Sequence, residues 1–319
     1  MPLISSSNYL RPAHLFNGHL QTIIPGIFRK PIPLPFERER INTPDGDFLD
    51  LDWLRSNQPR LVIISHGLEG NSQRPYMTGM AEQFFRNGYD VLTWNFRGCG
   101  EEMNHTAIFY HSGATYDLHR VVQHAERSYQ EIFLIGFSLG GNLTLKYLGE
   151  ERKRSFKIKK AVTISVPLHL HSSSIQISKG ENILYAIRFL LSLKEKIQKK
   201  AKIFPEVVQL EKLKKIKTLE DFDEHYTGPL HGFDGAKDYY EKCSSLYFLH
   251  GIQVPSLILN AQNDPFLSEQ CFPTDLAQEL KQVYMEFPHY GGHVGFSPRN
   301  KNEIYWSEKR AFEFVERDI

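Results

Sequence analysis

Apolar and polar positions along much of the chain form blocks that predict a buried parallel β-sheet with connecting helices. Continuous apolar runs, typical of strands covered on both faces, lie at residues 61–65, 91–95, 132–135 and 161–165. Helix-like segments lie between these runs, at about residues 75–87 and 115–128, and another follows Ser138. Because strands and helices alternate, the pattern predicts an α/β fold with right-handed crossovers.

The chain before these runs has a different pattern of residues. Residues 8–35 contain five prolines and many apolar side chains. We expect an irregular arm, because proline interrupts regular structure, and we expect it to dock, because a free tail carries fewer apolar residues. From residue 36 to residue 53 an alternating pattern is interrupted by Pro44-Asp45-Gly46, which predicts a β-hairpin.

The alternation stops between about residues 168 and 245, where helical stretches occur without a strand-like run. It then resumes with a strand, a helix, a strand and a helix, at residues 254–260, 271–281, 283–287 and 303–315. We therefore predict a core in two parts, residues 1–167 (with the arm at 1–35) and 246–319. Residues 168–245 are predicted to be a helical cap inserted between them.

The predicted cap is rich in lysine along its helical stretches at residues 183–203 and 207–217. The lysines are Lys194, Lys196, Lys199, Lys200, Lys202, Lys212, Lys214, Lys215 and Lys217. The first interpretation is a solvated helix face. The alternative is a basic surface that makes weak contact with anionic lipid or an acyl-phosphate head group.

Composition narrows the classes of function. The chain is 41% hydrophobic and 24% charged with a net charge of +1, which is typical of a soluble globular protein and gives no global attraction to nucleic acid. Its three cysteines are far apart, which suits a reducing cytoplasm better than a disulfide framework. The N-terminal residues do not resemble a secretion signal, and no apolar run is long enough to cross a membrane.

A candidate nucleophile lies where the run at 132–135 ends. Gly136-Phe137-Ser138-Leu139-Gly140 matches the Gly-x-Ser-x-Gly pattern of a nucleophile elbow, in which a strand turns sharply into a helix. The same pattern also occurs in ordinary turns. Its functional interpretation therefore depends on whether the chain supplies a base and an acid for the serine.

A serine hydroxyl needs a histidine to accept its proton, and the histidine needs a carboxylate to orient it. Asp264 follows the strand predicted at 254–260, and His293 follows the strand predicted at 283–287 behind two glycines. Asp275, inside the next predicted helix, and His289, close to the strand end, are less well placed. The order serine, aspartate, histidine is that of the α/β hydrolases.

Acyl transfer also needs two backbone N–H groups for the oxyanion. We assign them to Leu139, directly after the nucleophile, and to Leu68, in the turn after the run at 61–65. His66 is expected to brace this turn rather than act as a base. Neither His169-x-His171 nor Cys99 predicts a metal or reactive-thiol site, and no cofactor is expected.

These residues resemble the α/β-hydrolase superfamily and, more narrowly, the YheT-like hydrolases. The resemblance spans nearly the whole chain and rests on motifs at residues 17–23, 66–70, 95–100, 136–142, 227–233, 263–266 and 291–296. It implies an α/β-hydrolase fold, a mostly parallel sheet flanked by helices with a helical cap inserted. It also implies carboxylesterase or lipase-like activity on short to medium acyl chains, with Ser138, Asp264 and His293 as the triad.

The sequence thus predicts a serine esterase that acts on a small ester or lipid. An acyltransferase with the same triad, using an alcohol or thiol in place of water, is the nearest alternative, and a catalytically silent binding module is a further one. Composition does not specify the acyl chain, the alcohol or the oligomeric state.

Overall fold

The computed structural model describes residues 3–300 and 303–317. Residues 1–2, 301–302 and 318–319, which belong to the predicted core segments, lie outside the described residues. In chain order the strands are β1 (Leu3–Ile4), β2 (Glu37–Asn42), β3 (Phe48–Leu54), β4 (Arg60–Ser65), β5 (Asp90–Asn95), β6 (Glu131–Phe137), β7 (Ile158–Ile164), β8 (Ser256–Leu259) and β9 (Val283–Glu286).

Helices connect these strands and fill the long interval between β7 and β8. They are α1 (Gly18–Phe28), α2 (Pro75–Phe85), α3 (Thr115–Ala125), α4 (Leu139–Gly149), α5 (Leu170–Ile177), α6 (Ile183–Ile203), α7 (Leu219–Phe222), α8 (Gly228–Leu230), α9 (Gly235–Cys243), α10 (Thr274–Ala277) and α11 (Trp306–Glu316). Short 3₁₀ turns lie at Gly180–Asn182, Leu210–Lys215, Ser245–Gly251 and Glu269–Cys271, and a π-helix lies at Asp223–Thr227.

The strands of the described residues form one sheet in the order β1-β9-β8-β7-β6-β4-β5-β3-β2. All neighbours from β1 to β5 pair in parallel, whereas β3 pairs antiparallel with both β5 and β2. The predicted hairpin and the mostly parallel sheet are therefore confirmed. Apolar clusters pack on both faces of the sheet, so the central strands are buried on both sides.

The edge strand β2 is protected by charge. Its sequence begins Glu-Arg-Glu-Arg, and most of its residues are exposed. Arg40 donates to Asp50 on β3 through two nitrogens, at 2.7 and 3.1 Å, and Arg38 also pairs with Asp52. Charged side chains on an edge strand oppose pairing with a second sheet.

The N-terminal arm is more regular than predicted. It contains the eleven-residue helix α1, whose start is capped by Asn17, with the side chain accepting from the Leu20 N–H at 2.9 Å. Pro25 lies near the end of α1 and on its buried face, where the loss of one backbone hydrogen bond is tolerated. The expected docking is only partly correct. Leu15 and Gln21 are buried, but the apolar side chains of Phe16, Ile23, Ile27 and Phe28 are exposed.

The segment between β7 and β8 forms α5 to α9 and has its own apolar clusters. We call residues 168–245 the cap segment; its separate domain status stays a prediction. The helices expected at 207–217 and 271–281 are mostly wrong, because only 3₁₀ turns and the four-residue α10 form there. Pro273 interrupts the second of these segments.

Two of the cap lysines are not on a solvated face. Lys196 is 6% exposed and Lys200 is 0% exposed. Lys200 donates through Nζ to the carbonyl oxygens of Asn104 and Ile108, each at 3.2 Å, and to that of Thr106. Burial lowers the pKa of Lys200 to about 8. These two lysines therefore attach the cap segment to the core, which the lysine pattern alone did not reveal.

Candidate active site

The elbow at Ser138 joins β6 to α4 through a strained backbone. Ser138 has φ of 51° and ψ of −116°, a conformation that costs an L-residue about 1–3 kcal/mol and that the surrounding packing must hold. A Cβ on Gly136 would lie 2.4 Å from the Gly140 carbonyl oxygen, and one on Gly140 would lie 2.4 Å from that of His66. Both glycines are therefore required by close backbone approach.

Asp264 lies in the turn after β8 and is closed off from solvent, with a side-chain exposure of 0%. Its Oδ1 accepts from the Phe266 N–H at 2.9 Å, and its Oδ2 lies 2.8 Å from His293 Nδ1. The competing carboxylate, Asp275, is exposed on α10. The structure thus brings the predicted aspartate, and not its competitor, to the histidine.

His293 lies in the loop after β9 and connects the other two predicted residues. Its Nε2 lies 3.0 Å from Ser138 Oγ. Because Nδ1 donates its proton to Asp264, Nε2 is free to accept the serine proton. The alternative histidine, His289, is exposed and pairs with Gln262 at 2.9 Å.

The arm supports the histidine loop through contacts that sequence reasoning missed. Gln21 Oε1 accepts from the Gly291 N–H at 2.6 Å, and Thr22 Oγ1 accepts from the His293 N–H at 2.9 Å. Asn263 Oδ1 accepts from the Gly292 N–H at 3.1 Å. The polar pair Gln21-Thr22 inside an apolar stretch of the arm was the available signal, but no pattern linked it to a loop 270 residues later.

The residues of the two predicted oxyanion donors, Leu68 and Leu139, lie in the same cavity wall as Ser138. The N–H groups on either side of Leu68 are engaged, that of Gly67 by Tyr76 Oη at 3.1 Å and that of Glu69 by Tyr110 Oη at 2.9 Å. Within residues 3–300 and 303–317, neither the Leu68 N–H nor the Leu139 N–H has a hydrogen-bond acceptor. Both residues line the cavity that also contains Ser138.

That cavity lies between the core and the cap segment, with Ser138 and His293 in its wall. Its walls are mainly apolar and include Phe109, Leu170, Ile177, Phe189, Leu193 and Phe266. Phe189 on α6 lines this cavity, whereas Phe204, just after α6, packs against the apolar cluster of the cap segment.

Comparison with known proteins agrees with this geometry. The profile of the family described as alpha/beta hydrolase fold matches residues 60–298. The chain belongs to the α/β-hydrolase family. YheT of Escherichia coli is 34% identical over 301 residues, covering 92% of this chain and 88% of that protein. The monoacylglycerol lipase of Saccharomyces cerevisiae is 30% identical over 281 residues, covering 83% of this chain and 60% of that protein.

The fold of this hydrolase is also found in solved structures of other proteins. The esterase Pf2001 of Pyrococcus furiosus aligns with a TM-score of 0.59 at 17% identity, covering 88% of this chain and 90% of that one. The family relationship confirms the expected YheT-like group and the expected enzyme class, a carboxylic ester hydrolase. Among the described residues, no helix has both the length and the apolar character needed to cross a bilayer.

His66 braces the turn that contains Leu68, as predicted. Its Nδ1 donates to the Gly67 carbonyl oxygen at 2.8 Å, and its Nε2 accepts from the Phe96 N–H at 3.1 Å. Burial lowers the pKa of His66 to about 3, so the ring is neutral at neutral pH. A neutral ring is required here, since Nε2 can accept a hydrogen bond only when it carries no proton.

Acidification to pH 5.5 is expected to destabilise the fold. Burial lowers the pKa of His66 to about 3 and that of His231 to about 4, and it holds the pKa of His111 well below its usual value. Below pH 6.5 the unfolded chain binds protons that the folded chain does not, so each histidine removes up to about 1.4 kcal/mol per pH unit. The pKa values of Asp117 and Asp223, each raised to about 6 by burial, act in the opposite direction, and each offsets less than one histidine.

Urea unfolding at pH 7.5 and pH 5.5 measures this difference, for which we expect a net loss of roughly 2–4 kcal/mol. His289→Gln, at an exposed position, serves as the matched control and should show the same loss. Equal unfolding free energies at the two pH values would contradict the assignment of neutral buried histidines.

A buried ion pair joins the cap segment to the turn that contains Leu68. Lys196 on α6 donates through Nζ to Glu69 Oε1 at 2.6 Å, and Tyr110 Oη donates to the same oxygen at 2.7 Å. Ser192 donates to Glu69 Oε2. Burial alone would raise the pKa of Glu69, but Lys196 together with the hydroxyls of Ser192 and Tyr110 outweighs it, and the pKa is lowered. Glu69 directly follows Leu68, so helix α6 holds the residue next to a predicted oxyanion donor.

Removing one partner of this pair should be more damaging than removing both. Lys196→Met leaves the Glu69 carboxylate buried without a cation, and we expect a loss of about 3–5 kcal/mol in the free energy of unfolding. Glu69→Gln combined with Lys196→Met should recover most of that loss. Chemical denaturation of the two variants and the wild type measures the difference. If the double variant is no more stable than the single one, the pair is not coupled as described.

The remaining candidates have other partners. His169 caps α5 and pairs with Ser172 at 2.8 Å and Tyr247 at 3.0 Å, and the His171 ring stacks on Tyr240. Burial raises the pKa of the Cys99 thiol to about 11, so it is protonated at neutral pH. These contacts give the two histidines and the cysteine structural roles.

Asp223 is a feature of the cavity that sequence reasoning missed. It begins the π-helix, lines the cavity and accepts from Tyr240 Oη at 2.8 Å. No cationic side chain among the described residues forms an ion pair with it. Asp223 therefore provides a hydrogen-bond acceptor in an otherwise apolar wall, and π-helices often occur at functional positions.

Proposed function

We propose that this hydrolase cleaves carboxylic esters of short to medium acyl chains through an acyl-enzyme on Ser138. The observation that carries the proposal is the continuous chain of hydrogen bonds from Asp264 through His293 to Ser138 Oγ, which ends in an apolar cavity. The kinship with a monoacylglycerol lipase supports an ester of a fatty acid as the substrate class.

The proposed reaction has two halves. Ser138 Oγ attacks the ester carbonyl while His293 Nε2 takes its proton, and the N–H groups of Leu68 and Leu139 stabilise the negative oxygen. His293 then gives the proton to the leaving alcohol. In the second half, water attacks the acyl-enzyme while His293 takes a proton from the water. His293 then returns this proton to Ser138 Oγ as the carboxylic acid leaves. Asp264 keeps the histidine oriented and stabilises its charged form.

Chain-length preference tests the assignment of the cavity. Across p-nitrophenyl esters from acetate to palmitate, we expect kcat/KM to peak between butyrate and octanoate, because the cavity has limited volume. Leu193→Trp places a larger side chain on the cavity wall and should move the peak to shorter chains. Leu191→Trp, two residues away on the exposed face of α6, is the matched control and should leave the peak in place.

A profile that rises steadily to palmitate would contradict the chain-length proposal without affecting the triad. Labelling of the wild type by a fluorophosphonate probe tests the nucleophile independently, and absence of labelling would favour a silent binding module. Adding glycerol to the same assays separates hydrolysis from acyl transfer, because a glycerol ester accumulates only in the second case.

A further inference from the structure

A second depression leads from the surface to the nucleophile. It lies between α1 and α6 and is lined by Ile23, Ile27 and Leu184 at the surface and by Ser138 and His293 at its base. The depression therefore forms an entrance groove to the candidate active site. A substrate that enters here passes between the arm and the cap segment.

The surface around this groove, which we call the rim, is apolar and exposed. Ile23, Ile27 and Leu184 line the groove itself, and Ile187 and Leu191 lie beside it on the exposed side of α6. On α1, Ile23 is 36% and Ile27 is 63% exposed; on α6, Leu184 is 76%, Ile187 is 45% and Leu191 is 65% exposed. The α6 residues recur at helical spacing on one side, whereas the opposite side of α6 is buried in the cap core. A cluster of large apolar side chains beside an active-site entrance is unusual for a surface that faces only water.

Apart from Glu69, the charged side chains that line the groove are positive. Arg188 lines it, is exposed and forms no ion pair with any carboxylate among the described residues. Lys30, just after α1, is also exposed and, within the same part of the chain, has no ion-pair partner. The acidic side chain in the groove wall, Glu69, is already bound by Lys196. Cations close to an anionic bilayer surface favour binding to it.

We propose that this rim, Ile23 and Ile27 of α1 with Leu184, Ile187 and Leu191 of α6, docks on an anionic lipid surface. The rim then seats the groove against the bilayer, so that an apolar ester passes from the lipid to Ser138 without crossing water. The inference rests on the proposed ester hydrolysis, because it adds that the ester reaches the enzyme from a lipid surface. A second copy of the chain seated on the rim would instead close the entrance, which argues for lipid as the occupant.

The proposal differs from the basic surface suggested by the lysine-rich sequence. The first half of α6 carries the exposed apolar residues, and most of its lysines lie in the second half, where Lys196 and Lys200 are buried. The docking surface is therefore predicted to be the apolar half of α6 with α1, with cations in a supporting role.

Flotation with vesicles of equal parts phosphatidylcholine and phosphatidylglycerol tests the docking. We expect the wild type to float with the vesicles and Ile187→Glu combined with Leu191→Glu to reduce the bound fraction roughly tenfold. Phe156→Glu is the matched control: Phe156 is 84% exposed but precedes β7, at the sheet edge opposite to Ser138. It should bind as the wild type does.

Activity separates this proposal from the proposed function. Hydrolysis of water-soluble p-nitrophenyl butyrate should be equal in the wild type, the double variant and the control, whereas hydrolysis of an ester embedded in the vesicles should fall with binding. A wild type that hydrolyses the soluble ester but does not float overturns the docking alone. A wild type that floats but hydrolyses neither ester overturns the function alone.

Two further results would overturn the docking. One is equal flotation of the wild type and the double variant. The other is light scattering that shows a dimer for the wild type and a monomer for the double variant, which identifies a second copy as the occupant. If the double variant does not fold, Arg188→Glu with Lys30→Glu replaces it, and flotation with anionic vesicles should then fall while flotation with pure phosphatidylcholine does not.

Discussion

Ser138→Ala is expected to lower kcat on p-nitrophenyl esters by about 10⁴-fold or more, with the fold unchanged. The alanine removes the atom that attacks the carbonyl, and His293 Nε2, 3.0 Å away in the wild type, loses its proton donor. The substitution is compatible with the backbone, because alanine is no larger than serine. Steady-state kinetics and circular dichroism measure the two parts of this prediction.

Ser112→Ala is the matched control for that experiment. Ser112 lines the same cavity, but its hydroxyl does not belong to the chain of hydrogen bonds through His293. This variant should keep most of its activity and its labelling by a fluorophosphonate. If Ser138→Ala retained substantial ester hydrolysis, another nucleophile would carry the reaction, and the proposed mechanism would be wrong.

Asp264→Asn is expected to cost about 10³–10⁴-fold in kcat, although it changes only one atom. The Phe266 N–H donates to Asp264 Oδ1 at 2.9 Å, so the asparagine carbonyl oxygen will occupy that position. Its amide NH₂ then faces His293 Nδ1, which must accept rather than donate. The proton is placed on Nε2, and the histidine can no longer accept a proton from Ser138.

The rate of fluorophosphonate labelling measures this loss directly, because labelling requires the same proton transfer from Ser138. Asp275→Asn, at the exposed aspartate on α10, is the matched control and should label at the wild-type rate. If Asp275→Asn were labelled slowly and Asp264→Asn at the wild-type rate, the assignment of the acid would be reversed.

Local patterns predicted the central sheet, and the proximity of Ser138, Asp264 and His293, for a physical reason. In a parallel sheet the carboxyl ends of the strands meet at one edge, so residues that follow β6, β8 and β9 converge without further information. The places of Ser138, Asp264 and His293 along the chain were therefore nearly sufficient to place them in space. The elbow also has its own local signal, since Gly136 and Gly140 are required by close backbone contacts.

The supporting parts of the site were less predictable, because their partners are distant in sequence. Nothing local indicates that Gln21 binds the loop before His293, or that Lys196 leaves solvent to pair with Glu69. The arm was predicted to be irregular because it is rich in proline. The helix N-cap at Asn17 and the apolar residues after it were nevertheless enough to form α1. One proline near a helix end weakens a helix less than the composition suggested.

The contacts of Glu69 with Ser192 and Lys196 also bear on how this hydrolase can be redesigned. Replacing the cap segment with the cap segment of a relative is an obvious route to new substrate preferences. Such a chimaera would lose the two donors from α6 and leave the carboxylate at residue 69 without its cation. Residue 69 and helix α6 therefore have to be transplanted together, and we expect related enzymes to exchange them as a unit.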